Sequence, residues 1–352
     1  MFEILQPGVG PRGDGAYLPA DPRQVFWGVL PCEADAPVLS IASGDEVTID
    51  TLSHEGLLDD QGSDPAAFFA SHGVPREQVL DDAVAVVATR ERGPEDGPHV
   101  VTGPIEVRGA EVGELLAIQV LETIPRVPYG VISNRHGRGA LPGEFPRGDK
   151  NVSVFAAARD GQGWVPRVAG GEADVHFPLD PFLGIMGVAV AGSTRPHSVP
   201  PGRHGGNIDV KLLTVGSTLY LPVQVAGALA FVGDPHFAQG DGEVALTAME
   251  ASLRVRLRFR RVQADHPFAR VARRHGPIIE TPEFLVPTGM DADLGEANRA
   301  AVRAAIDLLG EVHGMDPEHA FAYLSAATDF NISQVVDRVT GVHARIRKAD
   351  FL

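Results

Sequence analysis

From Leu253 to Arg260 the chain alternates without a break: Leu253, Val255, Leu257 and Phe259 on one face, Arg254, Arg256, Arg258 and Arg260 on the other. A period of two fixes extended backbone with one buried and one polar face. The arginine row reads as a solvated or subunit-facing surface with carboxylate partners; anion binding is the alternative. Three further segments share one grammar of turn glycine, polar residue and alternation: Gly44–Asp50, Gly113–Val120 and Gly216–Val223. Each predicts a strand entered through a turn. With 40 Gly and 28 Pro in 352 residues, turns are plentiful and long helices scarce. The expected fold is mainly β: a β-sandwich-like body over 1–265 and a smaller α+β region over 266–352.

Helix signals are local. Asp64-Pro65 predicts a short helix through Phe68 and Phe69 that closes near Gly73. Asp293-Leu294-Gly295-Glu296 resembles a capping box ahead of Val302, Ala305, Ile306, Leu309 and Val312 at helical spacing. Gly314 can end that helix, Asp316-Pro317 can open another, and a last strand is expected near 342–346. The loops 125–149, 166–172 and 193–207 are long and rich in Gly and Pro, and long loops in compact domains often carry function.

Several classes are disfavoured. A net charge of −16, from 46 acidic and 30 basic residues, argues against nucleic acid or an anionic membrane as partner. Cys32 stands alone, so no internal disulfide and no Cys-rich metal site is available. The near-apolar run from Leu219 to Val232 is broken by Pro222 and Gln224 and is too short to span a bilayer. With no basic segment leading into an apolar one at the start, a soluble cytoplasmic protein is expected. Gly8–Gly13 matches GxGxxG, but Pro11 and the residues after it do not make the helix a dinucleotide site needs. No GxSxG elbow occurs, and His54-Glu55 lacks the second imidazole of HExxH because residue 58 is Leu.

The unusual polar residues concentrate in three places. Gly233–Glu243 holds Asp234, His236, Gln239, Asp241 and Glu243 among three glycines, and reads as a tight loop between apolar strands, the second spanning Val244 to Met249. Pro200–Asp209 holds His204, Asn207 and Asp209, and Ile49–Gly56 holds Asp50, His54 and Glu55. Each segment alone is also a plain turn, because Asp and Asn bond their own backbone. If the three converge, imidazole and carboxylate oxygen suit a divalent metal: zinc first, with calcium or magnesium as alternatives. Asp50, Asp209, Asp234 and His236 are the candidate ligands. Amide hydrolysis needs a polarised carbonyl, an activated water and a proton for the leaving amine. Glu243, at the junction of loop and strand, is the candidate proton shuttle, with His54 as a second catalytic group. Asn207, Gln239 and Asp241 are the candidate substrate contacts.

At these segments the chain resembles the acetamidase/formamidase family. The likeness runs through Ser43-Gly44-Asp45 to Ser53-His54-Glu55-Gly56, Val101–Ile105, Phe182–Gly187, Pro201–Asp209 and, most specifically, Asp234–Glu243. The resemblance implies hydrolysis of a short aliphatic amide to carboxylate and ammonia, a β-sandwich-like body with an α+β portion, a homo-oligomer, and a divalent metal. The stretches 59–78 and 125–149 depart from the compact members and bear on the shape of the substrate pocket. The alternatives are a non-catalytic β-sandwich that binds a small polar ligand or carbohydrate, poorly supplied with 2 Trp and 4 Tyr, and a scaffold that associates through the arginine strand.

Overall fold

The computed structural model describes residues 3–351. The alternating segment forms the strand Leu253–Val262, and its four apolar side chains are fully buried. It lies between Glu46–Asp50 and Leu115–Pro125, and Thr218–Pro222 pairs on the far side of the latter. All three turn-glycine segments therefore become strands of one sheet, nine-stranded among the described residues.

The second sheet runs from Ala173–Pro178 through Gln162–Pro166, Val152–Arg159, Tyr129–Asn134, Met249–Glu250, Ala230–Ala238 and Phe182–Val188 to Gly205–Asn207. Val100–Val107 pairs with Ala230–Ala238 and carries Val25–Trp27 and Leu39–Ile41. The sheets share a core. Val47, Ile49, Leu116, Ile118, Leu219, Leu221, Val255 and Leu257 of the first meet Ile105, Phe182, Met186, Val188 and Val232 of the second. Each such side chain contributes about 1.5–3 kcal/mol by leaving water.

Around Leu115–Pro125 and Thr218–Pro222 the first sheet is covered on both faces. Leu115, Ala117 and Tyr220 alternate with the sandwich-facing residues and point outward, with Leu285 of the same sheet, against Ala305, Leu308, Leu309 and Leu324. That layer comprises the helices Pro267–His275, Leu294–His313 and Pro317–Ala327. Gly289 lets Leu294–His313 sit hard against its strand, because a Cβ there would collide with backbone of Ala297 and Ala301. Ile278–Glu280 pairs directly with Thr218–Pro222, so one sheet crosses the expected boundary at 265.

Asp64 and Asp293 cap their helices as expected, but the reciprocal half of the capping box is absent, since Asp293 N donates to Asp291, and Asp316 makes no side-chain cap bond. Asp64 Oδ1 accepts from Ala67 N at 3.0 Å at the head of Pro65–Ser71, and Asp293 Oδ1 accepts from Glu296 N at 2.9 Å. Gly314 closes Leu294–His313 at φ 65°. The helix Asp81–Thr89 lies outside the sequence-based expectations; no side chain caps it.

The arginine row departs from the expected wet surface. Arg256 and Arg258 do pair with Glu46 on a partly exposed face. Arg254 is fully buried: it donates to Asp50 at 2.6 and 3.0 Å and to the carbonyls of Gln6, Val9 and Pro11. The Gly8–Gly13 segment is thus a loop stitched over a buried guanidinium, with no helix behind it.

Candidate active site

Asp234 and His236 lie two apart on the strand Ala230–Ala238, so their side chains share a face. The expected loop is therefore half strand, and the apolar strand expected after Glu243 shrinks to Met249–Glu250. Glu250 is His236's register partner across that short ladder. Asp209 follows the strand Gly205–Asn207, His54 follows Glu46–Asp50, and His99 immediately precedes Val100–Val107. Asp337 enters from the hairpin between Asp329–Gln334 and Thr340–Arg347.

These residues converge. His54, His99 and Asp234 can bring ligand atoms within 4.8 Å of one another, as can Asp209, His236 and Glu243, and Asp234, His236 and Glu250. Asp234 and His236 each belong to two of these groups, so the three form one continuous cluster. His236 Nε2 lies 3.1 Å from both Asp234 Oδ2 and Glu250 Oε1, while its Nδ1 meets Gln239 Oε1 at 3.0 Å. His54 lies 3.6 Å from Asp234 Oδ1 and 3.3 Å from Glu55 Oε1. Glu55 is held in turn by Arg135 at 3.1 Å and Ser133 at 2.6 Å. Asp209, Asp234 and Glu243 all sit at positive φ, 47°, 52° and 47°. Left-handed backbone at non-glycine residues costs free energy and gathers where a side chain must be aimed.

The electrostatics follow from burial and crowding. Burial, then neighbouring carboxylates, push Asp209 and Glu243 well above the ordinary carboxylate range. Burial raises Asp337 to about 7 and raises Glu250 as well. Burial disfavours a charged His54, yet Asp234 and Glu55 outweigh it and hold the imidazole up at about 10. Asp234, beside His99 and His236, stays well below its usual value despite burial. Burial, reinforced by the charges on His54 and His236, holds His99 down at about 4.

This donor set fits a divalent cation. Both His54 nitrogens, both Asp209 oxygens, Asp234 Oδ1 and Glu250 Oε2 are buried without a hydrogen-bond partner among the described residues. Buried polar atoms are normally satisfied, and carboxylates crowded with imidazoles are the ligands a hard or borderline metal takes. Gly184 lines the same spot: a Cβ there would fall between Asp209, Asp234 and His236.

A cavity of about 400 Å³ connects the cluster to solvent, lined by His54, His99, Asn207, Asp234, Glu243, Glu250 and Asp337 among others. Of the residues picked from sequence, His54, Asp209, Asp234, His236 and Glu243 come together. Asn207 reaches the cavity with Oδ1 buried and unpartnered. Asp50 does not join the cluster; both its oxygens are taken by Arg254. Gln239 lies behind His236, and its amide donates to the carbonyls of Asp209 and Ser333. Asp241 turns away toward Asn331 at 3.0 Å and Lys211 at 3.3 Å. Sequence reasoning missed His99, Glu250 and Asp337. His99, in Gly97-Pro98-His99 at a strand entry, carries the grammar that singled out His54, and Glu250 is a lone acid in an apolar run. Asp337 has no such signal.

Fold and site together define a β-sandwich protein with a buried imidazole–carboxylate centre open to a solvent-connected cavity. The chain belongs to the acetamidase/formamidase family, whose model matches residues 96–195 and 189–346. It is 30% identical to the formamidase of Methylophilus methylotrophus, over 42% of this chain and 47% of that one. It is 29% identical to the acetamidase of Mycolicibacterium smegmatis, over 42% and 49%. The chain thus spans about half the length of the curated relatives it matches. The acetamidase from Bacillus halodurans shares the fold, with a TM-score of 0.73 over 95% of this chain and 98% of that one at 24% identity.

Proposed function

We propose that this protein hydrolyses a short aliphatic amide, formamide- or acetamide-like, to carboxylate and ammonia with the help of a divalent metal, zinc first. The observation that carries the reading is a set of three overlapping His/Asp/Glu groups, one of them containing Glu243, that opens through His54, His99, Asp234, Glu243 and Glu250 onto one cavity. His54, Asp209, Asp234 and His236 would hold the ion, with His99 and Glu250 in reach. A cation so placed supplies Lewis-acid polarisation of the amide carbonyl and makes water more acidic.

The chain's own groups supply the rest. Glu243, whose carboxyl is pushed up by burial, can take a proton from the attacking water and return it to the leaving nitrogen as the C–N bond breaks. One water is consumed, its oxygen joins the carbonyl carbon, and its proton leaves on ammonia. Asn207 can orient the substrate amide through its free Oδ1. Gln239 fixes the His236 ring from behind. Family membership extends the proposal to a homo-oligomer. For location the relevant fact is that no helix among the described residues is long and apolar enough to cross a membrane.

The test is ammonia release from formamide, acetamide and propionamide by the purified protein with metal supplied. Turnover of at least one is expected, and release from none would remove the formamide- or acetamide-like substrate. A carbohydrate-binding role finds no support, since among the described residues no Phe, Tyr or Trp lines the cavity.

A further inference from the structure

We propose that the solvent end of the cavity holds a carboxylate-binding site built on Arg138 and Arg338, so that the substrate is an amide with an anionic tail, such as the monoamide of a short dicarboxylic acid. This assignment rests on the amidase reading and adds to it the class of amide.

Size gives the first argument. The cavity measures about 400 Å³. A small amide such as acetamide displaces roughly two or three waters, at about 30 Å³ each. Space for a chain of several more atoms is left between the cluster and solvent.

Charge gives the second. Four guanidiniums line the cavity. Arg92 is neutralised by Asp59 at 2.9 Å, and Arg135 by Glu55 at 3.1 Å and Asp60 at 2.9 Å. Arg138 and Arg338 are exposed and have no carboxylate partner among the described residues. Outside the buried cluster Glu95 and Asp96 are the lining carboxylates without a guanidinium partner, and Asp96 is turned toward its own loop, where it accepts from Gly93 N at 2.8 Å. Arg138, Arg338 and His197 line the same cavity. Burial first, then the charge of Arg338 and, less, that of Arg138 hold His197 below its ordinary pKa against the opposing pull of the Glu95 backbone and Asp96.

The fold also places Arg338. It stands at φ 65°, a left-handed position that disfavours a side chain. Buried Gln334 locks the turn from inside: its Oε1 accepts from Val336 N at 2.8 Å and Asp337 N at 3.1 Å, and its Nε2 donates to Val339 O at 2.6 Å. The same turn sends Asp337 into the buried cluster and Arg338 to the mouth. One rigid hairpin thus gauges the separation between the reacting amide and its tail. Guanidinium binds carboxylate through paired, charge-assisted hydrogen bonds, so two of them favour an anion over its neutral isostere.

The experiment compares succinamate with succinamide, its neutral isostere. Calorimetry on zinc-supplied Glu243→Gln protein reads binding, and kcat/KM of the native protein reads turnover. Succinamate is expected to bind at least about ten-fold more tightly and to show the same preference in kcat/KM. Arg138→Ala and Arg338→Gly, the latter suited to the turn's backbone, should each cut the preference by about ten-fold. A preference that survives both substitutions assigns the carboxylate to the metal and overturns the site, as does equal binding of the two ligands; in either case the amidase reading stands so long as succinamide is hydrolysed. Selective binding that both substitutions abolish, with ammonia released from no amide, upholds the site and removes the amidase reading.

Discussion

Gly184 lies so near Asp234 that a methyl group in its place would sit 2.5 Å from the carboxylate Oδ2 and 2.7 Å from His236 Cε1. The strand Phe182–Val188 forms the wall against which the candidate metal ligands are packed, and only hydrogen fits between. Gly184→Ala should displace Asp209, Asp234 and His236 together. Overpacking of this kind costs about 1–3 kcal/mol. Metal analysis should show the bound ion lost, with ammonia release, while circular dichroism keeps the native fold. Full metal content and activity in the variant would separate Gly184 from the site.

Glu243 is the group asked to carry the proton. Glu243→Gln preserves its shape and removes its titration. kcat should fall by about 10²–10⁴-fold, the usual share of general acid–base catalysis, with a smaller change in KM. A steady-state comparison on acetamide checks this; a kcat within about three-fold of native would move the role elsewhere.

Asp50 is predicted to matter for folding and not for metal. Its carboxylate is shared by buried Arg254 at 2.6 Å and Tyr17 at 2.5 Å, with Arg126 at 3.7 Å. Asp50→Asn leaves buried guanidinium charge short of its partner, which costs about 3–5 kcal/mol. Urea denaturation should show that loss with metal content per folded chain intact. The opposite pattern, native stability with metal lost, would return Asp50 to the ligand set.

Stability should decline with acid through histidines outside the cluster. Burial holds His204 and His343 at about 4 in the folded chain, against about 6.5 when unfolded. Because the folded pKa is the lower one, the contribution is full above about pH 6.5 and is lost as pH falls toward 4. Each group removes about 1–2 kcal/mol by pH 5. Urea midpoints from pH 7 to pH 5 should fall, and His204→Leu should flatten the slope. An unchanged slope would mean His204 is already charged when folded.

Much of this was readable in the chain because the signals are local. Alternation at Leu253–Arg260 marks which side chains share a face, and the Asp64 and Asp293 caps mark where helices begin. Periodicity does not say what covers a face. Arg254 is buried only because residues 6–11 fold over it, and the nine-stranded sheet runs past residue 265 because Ile278–Glu280 finds a free edge. The site divides the same way. His54, Asp234 and His236 stand out as imidazole and carboxylate among glycines. Glu250, a lone acid in an apolar run, joins through strand register and Asp337 through a hairpin, and neither pairing is visible before the chain is folded. Gln239 and Asp241 have the right chemistry but face away from the cavity.

In the proposed reaction a buried ion and Glu243 act on an amide together. The most direct measurement is to strip the protein with a chelator and titrate zinc back while following ammonia release from acetamide. Activity should vanish on stripping, return in proportion to added ion and saturate at a small whole number of equivalents per chain. Full activity in protein shown to be free of metal would contradict it.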